Sequence, residues 1–141
     1  MLPSIIKRAY EAKINKTKLV VWGDGTPLRE YTYSEDMAQA FMWCYKNYSS
    51  SEIINVGSNE EKNIKEIVFY IADAIGLDRK EIEFDIEKPK GVFKKTMDNS
   101  KFISLSKFSF LELKDTIKRT VKWYELMMQE NSNLIKNKEK N

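Results

Sequence analysis

The residues with the clearest chemical potential lie in one short segment, Trp-Gly-Asp-Gly-Thr-Pro-Leu-Arg-Glu-Tyr-Thr-Tyr, at positions 22–33. This segment brings glycine, a cation and aromatic rings close together. Such a composition can hold an anionic ligand, because glycine lets the ligand approach the backbone and an aromatic ring offers a stacking face. Gly23 and Gly25 do not form a dinucleotide-binding fingerprint, since the third glycine is missing and no helix is expected directly afterwards. The alternative interpretation is a surface hairpin turn with Arg29 in a salt bridge.

A second candidate is the basic segment 88–95, which carries four lysines and no acidic residue. Lysine ammonium groups can bind phosphate as point charges. Taken alone, the segment is explained more simply as a solvated basic loop. Arg8, on the polar face of a predicted helix, is equally open to a functional or a structural interpretation. The acidic pairs at 35–36 and 60–61 could serve as acid/base pairs, but we expect them at helix starts, where negative charge is favourable anyway.

Composition excludes several classes of function. The 141 residues are 42% hydrophobic, which suits one ordinary domain with a real core. The formal charge of +3 comes from mixed signs along the chain, which argues against electrostatic binding of nucleic acid. The chain has no histidine and a single cysteine, so histidine-activated nucleophiles, imidazole metal sites and an internal disulfide are unavailable. The sequence predicts a reducing, cytoplasmic setting without a membrane span.

Helical and alternating apolar spacings predict the elements that position these residues. Cys44 is expected in the core face of the second helix, Ser34 as the N-cap of that helix, and Asn63 with Glu66 as a capping arrangement for the third. The predicted elements are a helix over 2–13, a strand over 18–22, a helix from 34 to 48 with residues 37, 41, 44, 45 and 48 on one face, a buried strand over 53–56, a helix over 64–75, a strand over 81–85 and a helix over 113–128.

Helices that alternate with few and short strands indicate a small α/β or α+β unit. Residues 1–128 are expected to form this single domain. Residues 129–141 are expected to form a polar tail that frays.

Five ordered motifs resemble the C-terminal part of the GDP-L-fucose synthase family. These enzymes are GDP-4-keto-6-deoxy-D-mannose 3,5-epimerase/4-reductases of the extended short-chain dehydrogenase/reductase and NAD-dependent epimerase/dehydratase superfamily. The resemblance covers about residues 2–126. The motifs are Leu-Pro-x-x-Ile at 2–6, Val-Val-Trp-Gly-x-Gly-x-Pro-x-Arg at 20–29, Tyr-Ser-x-Asp-Met-Ala at 33–38, Ile-Asn-Val-Gly at 54–57 and Lys-Lys-Thr-x-x-Asn-Ser-Lys at 94–101.

The resemblance implies a small substrate-binding C-terminal domain that lacks most of the Rossmann sheet. By motif position, Arg8, Trp22, Arg29 and Lys95 correspond to substrate-binding residues for the GDP-sugar GDP-4-keto-6-deoxy-D-mannose, with Arg29 directed toward the diphosphate. Many relatives read Lys-Pro-Asp-Gly where this chain has Lys-Pro-Lys-Gly at 88–91. Lys90 therefore replaces an acid that could accept hydrogen bonds from the nucleotide.

The same resemblance implies NADP as the cofactor of the complete enzyme, held by an N-terminal Rossmann domain, with no cofactor expected to bind this chain alone. The family's catalytic Tyr-x-x-x-Lys is absent, and its catalytic histidine would fall immediately before the segment matched at 1–3. We therefore expect no catalytic residue and no activity in this part, and a homodimer for the complete enzyme. Two alternatives are a stand-alone GDP-sugar-binding module and the C-terminal part of another nucleotide-sugar epimerase or dehydratase.

Overall fold

The computed structural model describes residues 1–130 in full and the helical backbone of residues 131–138. In chain order the elements are α1 (Leu2–Asn15), β1 (Leu19–Trp22), β2 (Leu28–Glu30), α2 (Ser34–Asn47), β3 (Glu61–Asn63), α3 (Ile64–Ile75), a 3-10 turn (Arg79–Glu81), β4 (Ile82–Asp85), β5 (Lys94–Lys95), α4 (Ser100–Ser106) and α5 (Leu113–Lys138). This mixed α/β architecture with small sheets confirms the predicted fold class. None of the described helices combines the length and apolar character needed to cross a membrane.

The core is built around α3, which packs against both α1 and α5. Apolar residues at helical spacing bury one side of α3, and its start is fixed by the predicted capping box. The Asn63 side chain accepts a hydrogen bond from the Glu66 backbone N–H at 2.8 Å, and the Glu66 carboxylate accepts one from the Asn63 N–H at 3.1 Å. Gly76 ends the helix in the left-handed conformation, with φ of 73°. The buried residues of α3 are Ile64, Ile67, Val68, Ile71, Ala72 and Ile75.

Two small sheets flank this core. β1 pairs in parallel with β4, from Leu19 opposite Ile82 to Trp22 opposite Asp85. The second sheet has the order β3-β2-β5, with β2 antiparallel to β3 and parallel to β5. The hairpin interpretation of the segment after β1 is therefore wrong, because β1 and β2 belong to different sheets.

The connection between β1 and β2 is held by the start of α3. The carbonyl of Gly25 accepts a hydrogen bond from the Lys65 N–H at 2.9 Å, and the carbonyl of Pro27 accepts one from the Ile64 N–H at 3.0 Å. These bonds satisfy backbone donors that the first turn of a helix leaves free. These hydrogen bonds hold the connection against the start of α3, directly before the chain enters β2 of the second sheet.

The second helix differs from its prediction. Tyr33 is the N-cap of α2 and Ser34 is its first helical residue, so the predicted cap at Ser34 is wrong. The stripe that packs inward contains Asp36 and Ala40, which are buried, and Trp43, whose ring meets Phe102 of α4 edge-on at 5.6 Å. Phe41 and Tyr45 of the predicted apolar face are exposed, by 59% and 85%. Cys44 is accordingly half-buried instead of lying in the core.

Two further boundaries differ. Residues 53–56 form no strand, and Ile53 is exposed, because no strand among the described residues lies beside them. The last helix continues to Lys138, ten residues past its expected end at Met128. Residues 139–141 of the predicted tail lie outside the described residues, and the fraying of that tail stays a prediction.

Candidate functional site

Arg8 is positioned by α1 and by the first strand. The apolar residues Ile5, Ile6 and Ala9 bury the inner face of the helix, and Arg8 lies beside that face. The Nη1 group of Arg8 donates a hydrogen bond to the Val20 carbonyl of β1 at 2.8 Å. This bond fixes the guanidinium next to the end of the strand that carries Trp22.

Trp22 and Arg29 stand at either end of the connection between β1 and β2. Trp22 is the last residue of β1, and its side chain is 61% exposed although it is large and apolar. Arg29 is the central residue of β2 and is half-buried. Its Nη1 group donates a hydrogen bond to the Leu28 carbonyl at 2.6 Å, and its other N–H groups make no hydrogen bond to the described residues.

Two adjoining cavities meet at Arg29. The first has a volume of about 440 Å³, and Arg8, Trp22 and Arg29 all line it, together with Ser4 and Lys90. The second has a volume of about 600 Å³, and Lys95 lines it together with Arg29. The structure thus places Arg8, Trp22 and Arg29 around the first cavity and Lys95 in the second, which shares Arg29 with the first. Their role in binding substrate stays a prediction.

Three cations that line the two cavities lack a direct acidic partner among the described residues, whereas Lys90 is paired with Asp24 and Glu30 lines the second cavity. Within the described part of the chain, no carboxylate lies within 4.0 Å of the charged nitrogens of Arg8, Arg29 or Lys95. The alternative that placed Arg29 in a salt bridge is therefore wrong. Cations that line a cavity without an acidic partner favour an anionic ligand, because such a ligand supplies the missing charge.

The register of the second sheet adds to the positive charge. Arg29 of β2 lies opposite Lys62 of β3 and beside Lys95 of β5. Cations on directly paired positions of neighbouring strands destabilise each other. Glu60 contacts Lys62 at 3.7 Å and relieves part of this repulsion. Sequence reasoning missed this row, because its members are far apart in the chain and only the strand register aligns them.

The glycines of the Gly-x-Gly turn serve the fold. Gly25 has φ of +78°, and a Cβ there would lie 2.8 Å from both the Lys65 Cβ and the Phe84 Cε1. The turn therefore packs against α3 and β4 where a side chain would not fit. It leads into β2, so it offers no helix N-terminus for the pyrophosphate of a dinucleotide. The residues of this turn do not fit NADP.

The basic segment 88–95 folds over the first cavity. Its Lys90 Nζ lies 2.5 Å from the Asp24 Oδ2, and this ammonium group holds the pKa of Asp24 well below its usual range. Lys94 Nζ lies 2.7 Å from the Glu61 Oε1 and likewise lowers the pKa of Glu61. Two of the four lysines are thus neutralised by acids distant in sequence.

The acidic pairs have structural partners. The Asp36 Oδ2 accepts a hydrogen bond from the Leu111 N–H at 2.9 Å, and the Glu60 Oε2 accepts one from the Leu113 N–H at 2.6 Å. Glu35 and Asp36 lie in the first turn of α2 as expected, whereas Glu60 and Glu61 precede and enter β3 and do not start a helix. Within the described residues, no group of three or more His, Cys, Asp or Glu side chains could hold a metal ion.

Sequence and fold can be compared with those of known protein families. The family model described as "NAD dependent epimerase/dehydratase family" matches residues 1–57. The chain is therefore similar to members of this family over its first part, and the relatives and solved structure described next belong to the same extended short-chain dehydrogenases/reductases.

More particularly, the chain is similar to GDP-L-fucose synthases, which confirms the resemblance carried by the five motifs. It is 39% identical over 125 residues to the putative GDP-L-fucose synthase 2 of Arabidopsis thaliana, covering 88% of this chain and 38% of that relative. The crystal structure of a GDP-L-fucose synthetase from Naegleria fowleri superposes with a TM-score of 0.85 at 35% identity, covering 91% of this chain and 40% of the other. The Naegleria protein was also solved bound to NADP. The chain spans about two fifths of the length of these relatives.

Proposed function

We propose that this chain supplies the GDP-sugar-binding part of a GDP-L-fucose synthase. The observation that carries the proposal is the joint presence of Arg8, Arg29 and Trp22 in one cavity, with both arginines lacking an acidic partner within the described residues. The similarity to GDP-L-fucose synthases supports the choice of ligand.

Each of these residues has a distinct task in binding. Arg29 presents a planar fork of N–H donors to the diphosphate, a geometry that suits phosphate oxygens. Arg8 adds a second guanidinium to the first cavity. The exposed ring of Trp22 packs against the base or the sugar. Lys95, in register with Arg29, contributes a point charge from the second cavity.

The complete enzyme, by its resemblance to the family, converts GDP-4-keto-6-deoxy-D-mannose to GDP-L-fucose by 3,5-epimerisation and reduction at C4. We assign the catalytic groups and the NADP site to a Rossmann domain outside this chain, because the residues described here fit neither. On this proposal the chain is inactive alone, and the complete enzyme is a homodimer in the cytoplasm. The unpaired Cys44 is consistent with a reducing compartment.

Lys90 favours a second candidate, the corresponding part of another nucleotide-sugar epimerase or dehydratase. This lysine lines the first cavity, and by the family resemblance it stands in place of an acid that could accept hydrogen bonds from the nucleotide. Guanine presents N–H donors on its base-pairing edge, and an ammonium group cannot accept hydrogen bonds from them. A different base would then occupy the cavity with the same diphosphate contacts.

Calorimetric titration of the 141-residue chain with GDP, UDP, dTDP and ADP separates the two candidates. We expect GDP to bind most tightly. Tighter binding of UDP, dTDP or ADP would favour the second candidate. A folded chain that binds none of the four nucleotides would contradict both.

A further inference from the structure

Lys90 occupies an unusual place among the cations of the first cavity. It lines the cavity together with Arg8 and Arg29, yet its Nζ is held 2.5 Å from the Asp24 Oδ2. The side chains of Lys90 and Asp24 are 54% and 27% exposed. Their interaction is therefore a solvent-exposed ion pair at the rim of the cavity, and pairs of this kind contribute little free energy.

The two members of this pair are anchored differently. The Asp24 Oδ1 accepts hydrogen bonds from the Thr26 N–H at 3.1 Å and the Thr26 hydroxyl at 2.7 Å, so the turn itself holds the carboxylate. The Lys90 backbone lies close against the turn, because a Cβ at Gly23 would lie 3.2 Å from the Lys90 Cα. The ammonium group of Lys90, in contrast, has Asp24 as its one partner among the described residues. Its flexible stem is thus the part of the pair that can move.

A diphosphate in the cavity competes with Asp24 for this ammonium group. It carries more negative charge than one carboxylate, and Arg8 and Arg29 already favour an anion at that place. We propose that Lys90 is a third phosphate-binding cation of the cavity, held by Asp24 without ligand and transferred to the diphosphate when a nucleoside diphosphate binds. This inference rests on the proposed function, and it makes Lys90 a determinant of preference for diphosphate over monophosphate.

A purely structural role would make the pair a strap between the 23–26 turn and the 88–91 loop. The two roles predict opposite effects of Asp24→Asn. The asparagine keeps an oxygen that can accept the hydrogen bonds from Thr26, but it loses the charge that holds Lys90. If Lys90 moves to the ligand, Asp24→Asn frees it and tightens GDP binding. If the pair is a strap, the same substitution loosens the cavity and weakens GDP binding.

The experiment is calorimetric titration of the 141-residue chain with GDP and with GMP, using Asp24→Asn, Lys90→Gln and a matched control. The control is Lys101→Gln, because the Lys101 Nζ lies 2.6 Å from the Glu52 Oε2 in a similar exposed pair that lines neither cavity. We expect Lys90→Gln to weaken GDP binding about three- to tenfold with a smaller effect on GMP, and Asp24→Asn to tighten GDP binding about two- to fivefold. Lys101→Gln leaves both affinities unchanged.

Unchanged GDP affinity in Lys90→Gln would overturn the inference, and so would weaker GDP binding in Asp24→Asn. A GDP effect of Lys90→Gln equal to its GMP effect would overturn the proposed diphosphate preference. In each case GDP binding by the unsubstituted chain would leave the proposed function standing. Absence of GDP binding by the folded, unsubstituted chain would instead overturn the proposed function and this inference with it.

Discussion

Replacing Arg29 by alanine tests the diphosphate contact most sharply. Arg29 is half-buried, and its one described hydrogen bond goes to the Leu28 carbonyl. No acid within the described residues depends on it, so the substitution leaves no carboxylate without a partner. We therefore expect the free energy of unfolding to fall by no more than about 1.5 kcal/mol, because loss of the hydrogen bond to the Leu28 carbonyl is partly offset by relief of the repulsion from Lys62 and Lys95.

The effect on binding is expected to be larger. A hydrogen bond to a charged group contributes about 1.5–3 kcal/mol, which corresponds to a roughly 10- to 150-fold increase in the Kd for GDP. Arg29→Lys keeps the charge but loses the planar fork of donors, so it should fall between alanine and the unsubstituted chain. Arg119→Ala is a matched control, because Arg119 lies on α5 beside Trp123 and lines neither cavity of the site.

Calorimetry measures the Kd of each variant for GDP, and thermal denaturation shows that each one is folded. The reasoning is refuted if folded Arg29→Ala binds GDP within about twofold of the unsubstituted chain. It is also refuted if Arg119→Ala weakens binding as much as Arg29→Ala does, because the loss would then not be specific to the cavity.

Four further predictions concern the fold and the rim of the cavity. Ile71→Ala in the buried face of α3 should lower the free energy of unfolding in urea by about 2–5 kcal/mol, and a loss below about 1 kcal/mol would contradict the assigned core. Asn63→Ala should cost about 1 kcal/mol in the same assay through loss of the capping box, and an unchanged stability would contradict that cap. Gly25→Ala should lower the melting temperature more than Gly76→Ala. Both glycines have positive φ, but only a Cβ at Gly25 would meet neighbouring atoms at 2.8 Å. Equal decreases in melting temperature would show that the close packing around Gly25 does not contribute to stability. Because Lys90 lowers the pKa of Asp24, the ion pair stabilises the fold at pH values above 3.8, the ordinary pKa of aspartate, and this stabilisation is lost as the pH falls through the lowered pKa. Carbon NMR should show the pKa of Asp24 rise toward 3.8 in Lys90→Gln, and an unchanged pKa would contradict the ion pair.

Local signals in the sequence predicted the core helix well. The apolar spacing of α3 and the pairing of Asn63 with Glu66 are properties of a single segment, and both are confirmed. The same kind of reasoning failed for α2, because the buried face of this helix is determined by contacts with Phe102 and Leu111, which lie far along the chain. It failed again for residues 53–56, whose composition suits a strand but which have no neighbouring strand among the described residues.

For the candidate site too, sequence reasoning predicted the features that depend on local motifs and missed those that depend on tertiary contacts. Motif positions predicted Arg8, Trp22, Arg29 and Lys95 as substrate-binding residues, and the structure places all four around the two adjoining cavities. Sequence reasoning could not show whether Arg29 has an acidic partner, since that depends on tertiary contacts. The alignment of Lys62 with Arg29 and the contact of Lys90 with Asp24 were hidden for the same reason.

A crystal structure of the 141-residue chain with GDP would test the central claim most directly. The account predicts that the diphosphate lies in the first cavity, with phosphate oxygens about 3 Å from the guanidinium nitrogens of Arg29 and with the nucleoside beside the ring of Trp22. GDP bound elsewhere on the chain, with Arg8 and Arg29 making no contact to phosphate, would contradict it.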